Sequence, residues 1–187
     1  KAPPRETAHL VPKSTDDVGS GAASGPGWYK PGGILDGKPF VGNPNTLLRR
    51  DRMVLRFDLA SLALAHGERG VRRATLRLIP EGFYGPEDTG RIELAHLQYD
   101  TAVLSWKDIV NDNASPVAVA EAARDTAITT GLTFDVTAQV NADLALGRPA
   151  ASFRLRDLGS EEGNPDMKPD GLCFPDYRSG SLRLEVE

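Results

Sequence analysis

The chain alternates apolar and other side chains most regularly in the stretch Met53-Val54-Leu55-Arg56-Phe57-Asp58-Leu59. Successive side chains of a β-strand point to opposite faces, so the four apolar residues at the odd positions share one face. A strand with one apolar face and one charged face is typical of an antiparallel sheet that has one side in water. This stretch therefore predicts a β-sheet protein in which Leu55 and Phe57 belong to the core.

The same alternation predicts further strands on both sides of this stretch. They cover residues 8–11, 71–79, 91–99, 117–120, 132–136, 151–156, 172–174 and 181–186. A short helix is predicted after residue 136, because Thr137 can cap its start and Gly147 with Pro149 can end it. A helical turn is also expected over residues 61–65. About eight strands with turn signals between them predict an all-β sandwich or jelly roll.

Glycines and prolines recur through residues 14–44, and neither a strand period nor a helix period is visible there. We therefore expect residues 14–44 to form a long loop. Its aromatic residues, Trp28, Tyr29 and Phe40, predict that the loop is held against the body, because disordered segments have few aromatics. With a flexible polar arm at residues 1–7, residues 1–187 are expected to form a single domain.

The composition excludes some classes of partner. The net charge of −4 provides no basic surface for nucleic acid, and no apolar run approaches the ~20 residues that a membrane helix needs. Cys173 is the only cysteine, so an intrachain disulfide cannot form. The chain begins with Lys1, which we interpret as the mark of a processed or excised piece of a larger protein.

Four segments carry a resemblance to a known family. They are residues 52–62 (Arg-Met-Val-Leu-Arg-Phe-Asp-Leu-Ala-Ser-Leu), 71–78 (Val-Arg-Arg-Ala-Thr-Leu-Arg-Leu), 132–140 (Leu-Thr-Phe-Asp-Val-Thr-Ala-Gln-Val) and the closing 181–186. In this order they resemble the DNRLRE domain, which is related to the disaggregatase-type repeat and to a family of carbohydrate-binding modules. The resemblance covers most of the chain from about Thr46 onward.

The resemblance implies a jelly-roll β-sandwich of a secreted or cell-surface protein of bacterial type. It also implies a polysaccharide ligand, which is acidic for some members, and other domains of a larger chain as partners. The chain departs from the family pattern at Val103-Leu104-Ser105-Trp106, and Gly180 and Ser181 stand where a proline is common. The stretch rich in glycine and proline is also longer than expected. These departures affect loops, which usually carry the binding site.

Sugar binding needs a flat aromatic face and polar side chains for the hydroxyl groups, and arginine adds bidentate recognition of a uronate carboxylate. The candidate ligand-binding residues are Trp28, Tyr29, Tyr84, Tyr177, Arg178 and Arg56. The alternative for each aromatic residue is that it only packs its loop against the core. The two interpretations are evenly balanced for Trp28 and Tyr29, whereas for Trp106 we favour packing beneath a loop.

Arginines at outward positions of the predicted strands form a second candidate surface. They are Arg56, Arg73, Arg77, Arg154, Arg156 and Arg183. If some of them shared one sheet face, they would form a positive stripe on an acidic protein. Cross-strand pairing with Asp58, Asp135 and Glu185 is the simpler interpretation, and we favour it.

A structural calcium ion is the metal that such a domain would hold, and it needs several oxygen ligands. Asp16 and Asp17 are the candidate metal ligands, and an acidic loop over residues 157–170 offers further oxygens. Neither has the spacing of an EF-hand, so solvated acidic loops are the simpler interpretation and no cofactor is expected to be required. The three histidines show no zinc spacing, and Cys173 is expected to be a buried, unreactive thiol.

The sequence contains no hydrolase nucleophile motif and no phosphate-binding glycine motif. The leading prediction is a non-catalytic carbohydrate-binding module of a secreted or surface protein. A structural or adhesive spacer that binds no sugar is the second hypothesis. A small polysaccharide lyase or hydrolase is the third, because two carboxylates from distant strands can form a glycosidase site that no local motif reveals.

Overall fold

The computed structural model of the chain describes residues 7–22, 28–33, 38–43, 50–66, 70–84, 89–99, 103–110, 114–159 and 170–187. Its strands are β1 Ala8–Leu10, β2 Val18–Ala22, β3 Trp28–Pro31, β4 Phe40–Asn43, β5 Asp51–Asp58, β6 Ala74–Leu78, β7 Gly82–Tyr84, β8 Thr89–His96, β9 Ser115–Ala123, β10 Leu132–Asp135, β11 Ala150–Asp157, β12 Asp170–Cys173 and β13 Leu182–Val186. Its helices are α1 Ala60–His66, α2 Trp106–Val110, α3 Arg124–Thr130 and α4 Thr137–Ala145, with 3-10 turns at Thr15–Asp17 and Tyr177–Ser179.

The strands form two antiparallel sheets. The small sheet has the order β1-β13-β6-β10. The large sheet has the order β7-β12-β4-β5-β11-β8-β9, with β2 beside β5 and β3 beside β2. The prediction of a mainly β protein with antiparallel sheets is confirmed.

The two sheets enclose one hydrophobic core. Leu55 and Phe57 of β5 reach it from the large sheet, and Leu76 of β6 and Leu184 of β13 reach it from the small sheet. All four side chains are fully buried, as predicted for Leu55 and Phe57. Buried and half-exposed residues alternate along β6 and β13, so one face of the small sheet is apolar and the other is polar.

The outer face of the large sheet is also covered over much of its area. Val54, on that face of β5, is fully buried in a second cluster that includes Ile109 of α2. The buried Arg52 and Arg154 donate hydrogen bonds to the Ile109 carbonyl oxygen at 3.0 and 3.4 Å, and so fix the end of α2 against the sheet. The expectation that this face of β5 is wet is therefore wrong for the first half of the strand.

Helix α4 ties the end of one sheet to the other. The Asn141 side chain accepts a hydrogen bond from the Val71 N–H at 2.7 Å and donates one to the Val71 carbonyl at 3.0 Å, just before β6. Asp143, which is buried, lies 2.8 Å from Nε2 of His96 at the end of β8 and accepts a hydrogen bond from Arg148 at 2.7 Å. These contacts hold the helix against both sheets at once.

The stretch 14–44 differs from the predicted loop, because it contains β2, β3 and β4. Strand β2 is Val-Gly-Ser-Gly-Ala and is buried throughout. A Cβ atom at Gly19 would lie only 2.3–2.6 Å from atoms of the Tyr29 ring, so this strand depends on close approach to its backbone. Apolar alternation cannot reveal such a strand. The predicted arm at 1–7 lies, apart from Thr7, outside the described residues.

Three further segments, for which no strand or helix was predicted, have regular structure. Residues 80–90 contain β7, residues 100–116 contain α2, and residues 121–125 contain the end of β9 and the start of α3. Among the residues that the structure describes, no helix has both the length and the apolar character that crossing a membrane requires.

The core arrangement predicts very different outcomes for two Leu→Ala substitutions. Leu55→Ala should lower the free energy of unfolding by about 2–5 kcal/mol, because it leaves a cavity between the sheets. Leu64→Ala in α1 should change it by less than about 0.5 kcal/mol, because Leu64 is 90% exposed. Urea unfolding followed by circular dichroism measures both values, and equal losses would contradict the core assignment.

Candidate functional site

The outer face of the small sheet carries polar side chains in rows across its strands. In one row, Arg77 of β6 lies between Thr133 of β10 and Arg183 of β13. The next row contains Asp135, Thr75 and Glu185. Side chains directly opposite each other on one face of a sheet lie close together, so the rows form a continuous surface of hydroxyl, guanidinium and carboxylate groups.

A shallow cavity of about 410 Å³ lies over these rows. Its lining residues are Thr7, Arg73, Thr75, Arg77, Thr133, Phe134, Asp135, Glu185 and Glu187. Phe134 is only 2% exposed, so its ring belongs to the core and provides no stacking surface. The cavity therefore offers groups for hydrogen bonding and charge pairing.

One arginine of this cavity, Arg77, has a neighbour of like charge on the next strand. The register places Arg77 directly opposite Arg183, an arrangement that costs energy unless each charge has a partner. Arg183 donates to Glu185 at 2.7 Å. Arg77 donates from Nη2 to the Thr130 carbonyl at 3.2 Å, and its buried Nε has no hydrogen-bond partner among the residues that the structure describes. Arg77 therefore retains donor capacity.

Arg73 lies just before the start of β6 and is exposed. Neither Arg73 nor Arg77 forms an ion pair with a carboxylate in the part of the chain that the structure describes. The nearby carboxylate of Asp135 accepts hydrogen bonds from the Thr137 hydroxyl at 2.6 Å and the Thr137 N–H at 3.0 Å. These bonds, with a smaller contribution from Arg73, hold the pKa of Asp135 below its ordinary value.

This arrangement can bind an anion. The lining holds three carboxylates, of which Asp135 and Glu185 already have hydrogen-bond donors and Glu187 is the third. Its two arginines, Arg73 and Arg77, have no carboxylate partner among the described residues. A guanidinium group binds a carboxylate through short, charge-assisted hydrogen bonds. The threonine hydroxyls that line the cavity, Thr75 and Thr133 among them, can donate to or accept from the hydroxyl groups of a ligand.

The six predicted stripe arginines divide between the two outer faces. Arg73, Arg77 and Arg183 lie on the small sheet, and Arg56, Arg154 and Arg156 lie on the large sheet. Arg156 binds Glu93 through two hydrogen bonds of 2.7 and 2.8 Å, and Arg56 binds Asp17. Pairing is therefore the rule on the large sheet, although the partners differ from those predicted.

The predicted ligand-binding residues lie on separate elements. They are Trp28 and Tyr29 on β3, Arg56 on β5, Tyr84 on β7, and Tyr177 with Arg178 in the 3-10 turn. The guanidinium carbon of Arg178 lies 5.6 Å from the centre of the Tyr177 ring. Arg178 also binds Asp176 through hydrogen bonds of 2.8 and 2.9 Å, which lower the pKa of Asp176 to about 2.

Of the two aromatic residues of β3, the surroundings are described for the side chain of Tyr29. The Tyr29 hydroxyl is buried without a hydrogen-bond partner among the described residues, and the ring packs against the second cluster. Burial first, and then the negative charge of Asp108, raise the pKa of Tyr29. The packing interpretation of Tyr29 thus fits its surroundings better than sugar stacking does. The side chain of Trp28 lies outside the described part of the structure.

Asp17 and Arg56 were predicted for different roles and bind each other. The Asp17 carboxylate accepts a hydrogen bond from the Arg56 guanidinium at 2.7 Å and another from the Lys13 N–H at 3.0 Å. Asp16 is exposed. Within the described ranges, histidine, cysteine, aspartate and glutamate residues form no group of three or more that could hold a metal ion. The calcium ligands stay a prediction.

Among the side chains that the structure describes on the large-sheet side, those of two aromatic residues are exposed. Tyr84 is 45% exposed at the edge of the sheet. Trp106 is 40% exposed at the start of α2, and its indole N–H donates to the Ala22 carbonyl at 3.2 Å. The expectation that Trp106 packs beneath a loop therefore describes it only in part.

Comparison with known proteins adds no further information about this site. No protein-family model matches the chain, and no curated protein matches it. Its function therefore has to be inferred from its own residues and their geometry.

The surroundings of Cys173 predict that its thiol is unreactive. Cys173 is 3% exposed, and burial together with the charge of Glu81 raises its pKa to about 11. About 0.1% of the thiol would then be ionised at pH 8. Ellman's reagent should modify the folded chain at least ~100-fold more slowly than the chain unfolded in guanidinium chloride. Equal rates would contradict the assignment.

Proposed function

We propose that the chain is a non-catalytic carbohydrate-binding module that recognises an acidic polysaccharide through the outer face of its small sheet. One observation carries the proposal: Arg73 and Arg77 line an open, hydroxyl-rich cavity and have no carboxylate partner among the described residues. A uronate residue has the matching groups, namely one carboxylate and several hydroxyls. Other domains of a larger secreted or surface protein would be the partners.

Recognition in this proposal begins with the carboxylate of the ligand. It binds between Arg73 and Arg77 and supplies a negative charge beside Arg77, whose cross-strand neighbour is the like-charged Arg183. Thr75 and Thr133 then bind sugar hydroxyls from the cavity floor. A hydrogen bond to a charged group contributes about 1.5–3 kcal/mol. Because both side chains reach solvent, we take the lower value, which corresponds to roughly a tenfold change in affinity for each arginine.

The resemblance to the DNRLRE domain supports the proposed scaffold, a jelly-roll β-sandwich. Three of its four segments build the small sheet, because residues 71–78, 132–140 and 181–186 include β6, β10 and β13. The fourth, residues 52–62, includes most of β5. The segments that suggest the family therefore form the sheet on which the proposed site lies.

A structural spacer that binds no sugar is the second candidate. It is favoured by the burial of the Tyr29 hydroxyl and by the distribution of the predicted ligand residues over separate elements. A spacer would show no retention by any polysaccharide. The same binding experiment therefore separates the two candidates.

Replacing both cavity arginines should weaken the binding of acidic polysaccharide. In native gels that contain alginate or polygalacturonate, the wild-type chain should be retarded. The double variant Arg73→Ala/Arg77→Ala should bind roughly 100-fold more weakly if the two arginines act independently. Raising the salt concentration should weaken wild-type binding, because exposed charges are screened.

Arg178→Ala is the matched control, because Arg178 is exposed and already binds Asp176. It should leave the retardation unchanged. Loss of binding in Arg178→Ala with full binding in the double variant would place the ligand at the 3-10 turn instead. Absence of retardation by every glycan tested would overturn the proposed function.

A further inference from the structure

The edge of the large sheet has an outer surface of unusual composition. Across β4, β12 and β7, Phe40, Cys173 and Gly82 are partners in one row. The row two residues further along the strands contains Gly42, Gly171 and Tyr84. Val41 and Leu172, on the other face, belong to the core between the sheets, so both rows lie on the outer face.

The glycines of these rows allow the backbones of β4 and β12 to approach each other closely. Gly42 and Gly171 have φ angles of 126° and 134°, and a Cβ atom at Gly171 would lie 2.2 Å from the Val41 carbonyl oxygen and 2.8 Å from the Phe40 ring. Any larger residue would therefore displace the neighbouring backbone. The Phe40 ring occupies the space over Gly171 and is itself only 1% exposed.

The Tyr84 side chain lies on the same face as these glycines, and its ring has a defined orientation. Its ring packs edge-to-face against Phe40, with 6.0 Å between the ring centres and 62° between the ring planes. Gly82 lies beside it on the same face, and a Cβ atom there would lie 3.7 Å from the Tyr84 ring. Tyr84 remains 45% exposed, so part of its ring faces solvent beside the half-exposed Gly82.

A charged pair lies at the same edge. Lys38 Nζ binds Glu81 Oε1 at 2.6 Å, and their side chains are 42% and 34% exposed. The Glu81 N–H donates to the Cys173 carbonyl at 2.9 Å, and this bond holds Glu81 beside the end of β12. The Cys173 thiol, in the same row as Gly82, donates to Glu81 Oε1 at 3.8 Å, so the Glu81 carboxylate lies on the outer face at this edge.

We propose that Tyr84, with Lys38 and Glu81, forms a second saccharide subsite that takes one pyranose ring of a polysaccharide chain. The ring stacks its C–H face on Tyr84 above Gly82, and its hydroxyls bind the ammonium and carboxylate groups. This inference rests on the proposed function. The subsite lies on the outer face of the large sheet, whereas the arginine cavity lies on the outer face of the small sheet. One copy of the chain therefore contacts glycan at two separate places.

The test uses the polysaccharide that retains the wild-type chain best among alginate, polygalacturonate and the neutral xyloglucan. Affinity electrophoresis compares Tyr84→Ala with Tyr84→Phe, which keeps the ring and removes only the hydroxyl. Tyr84→Ala should bind about threefold to tenfold more weakly, and Tyr84→Phe should bind like the wild type. Lys38→Met, at a half-exposed position, should also weaken binding while the fold is kept.

Each outcome decides a separate point. If the wild-type chain binds and Tyr84→Ala binds equally well, the second subsite is overturned and the proposed function stands. If Tyr84→Phe loses as much as Tyr84→Ala, stacking on the ring is contradicted. If Tyr84→Ala does not fold, unchanged binding by Lys38→Met overturns the subsite. If no polysaccharide retains the wild-type chain, the proposed function is contradicted together with this inference.

Discussion

The fold depends on a large sheet that is buried on its inner face and over much of its outer face, and on a small sheet that is buried on one face. Leu55 and Phe57 of β5 face the core between the sheets, while Val54 of the same strand is buried beneath α2. The hydrophobic effect contributes about 25 cal/mol for each Å² of apolar surface removed from water, so covering both faces is strongly favoured. The buried arginines Arg52 and Arg154 complete this cover by binding the end of α2.

This asymmetry leaves the outer face of the small sheet open for polar side chains. Its strands alternate strictly, so the residues opposite the core are threonines, arginines and carboxylates. Helix α4 fixes the edge of the sheet through Asn141. Its Thr137 also donates a hydrogen bond to Asp135, so this carboxylate is not a direct partner of Arg73 or Arg77. A rigid floor of this kind lowers the cost of ordering side chains when a ligand binds. At the edge of the large sheet, Gly42, Gly82 and Gly171 likewise give Tyr84 a rigid backbone support.

Sequence alternation predicted the strands that use side chains to fill the core, such as β5, β6 and β13. It could not predict β2 or the pairing of Gly42 with Gly171, because those strands depend on backbone approach and carry few apolar side chains. For the site, the sequence identified Arg73 and Arg77 as outward residues. It could not show that they share a face with Arg183 and not with Arg56, because that depends on strand register and sheet order. The sequence identified Tyr84 as a candidate binding residue, but it did not show which glycines lie beside it in the sheet.

The central claim is that ligand binds on the outer face of the small sheet. Backbone amide chemical shifts, measured by nuclear magnetic resonance during titration with oligogalacturonate, test it most directly. The account predicts that the largest changes occur in β6, β10 and β13 around Arg77, Thr133 and Arg183, with smaller changes at Tyr84. Changes confined to Tyr177 and Arg178, or to Trp28 and Tyr29, with none in β6 or β13, would contradict it.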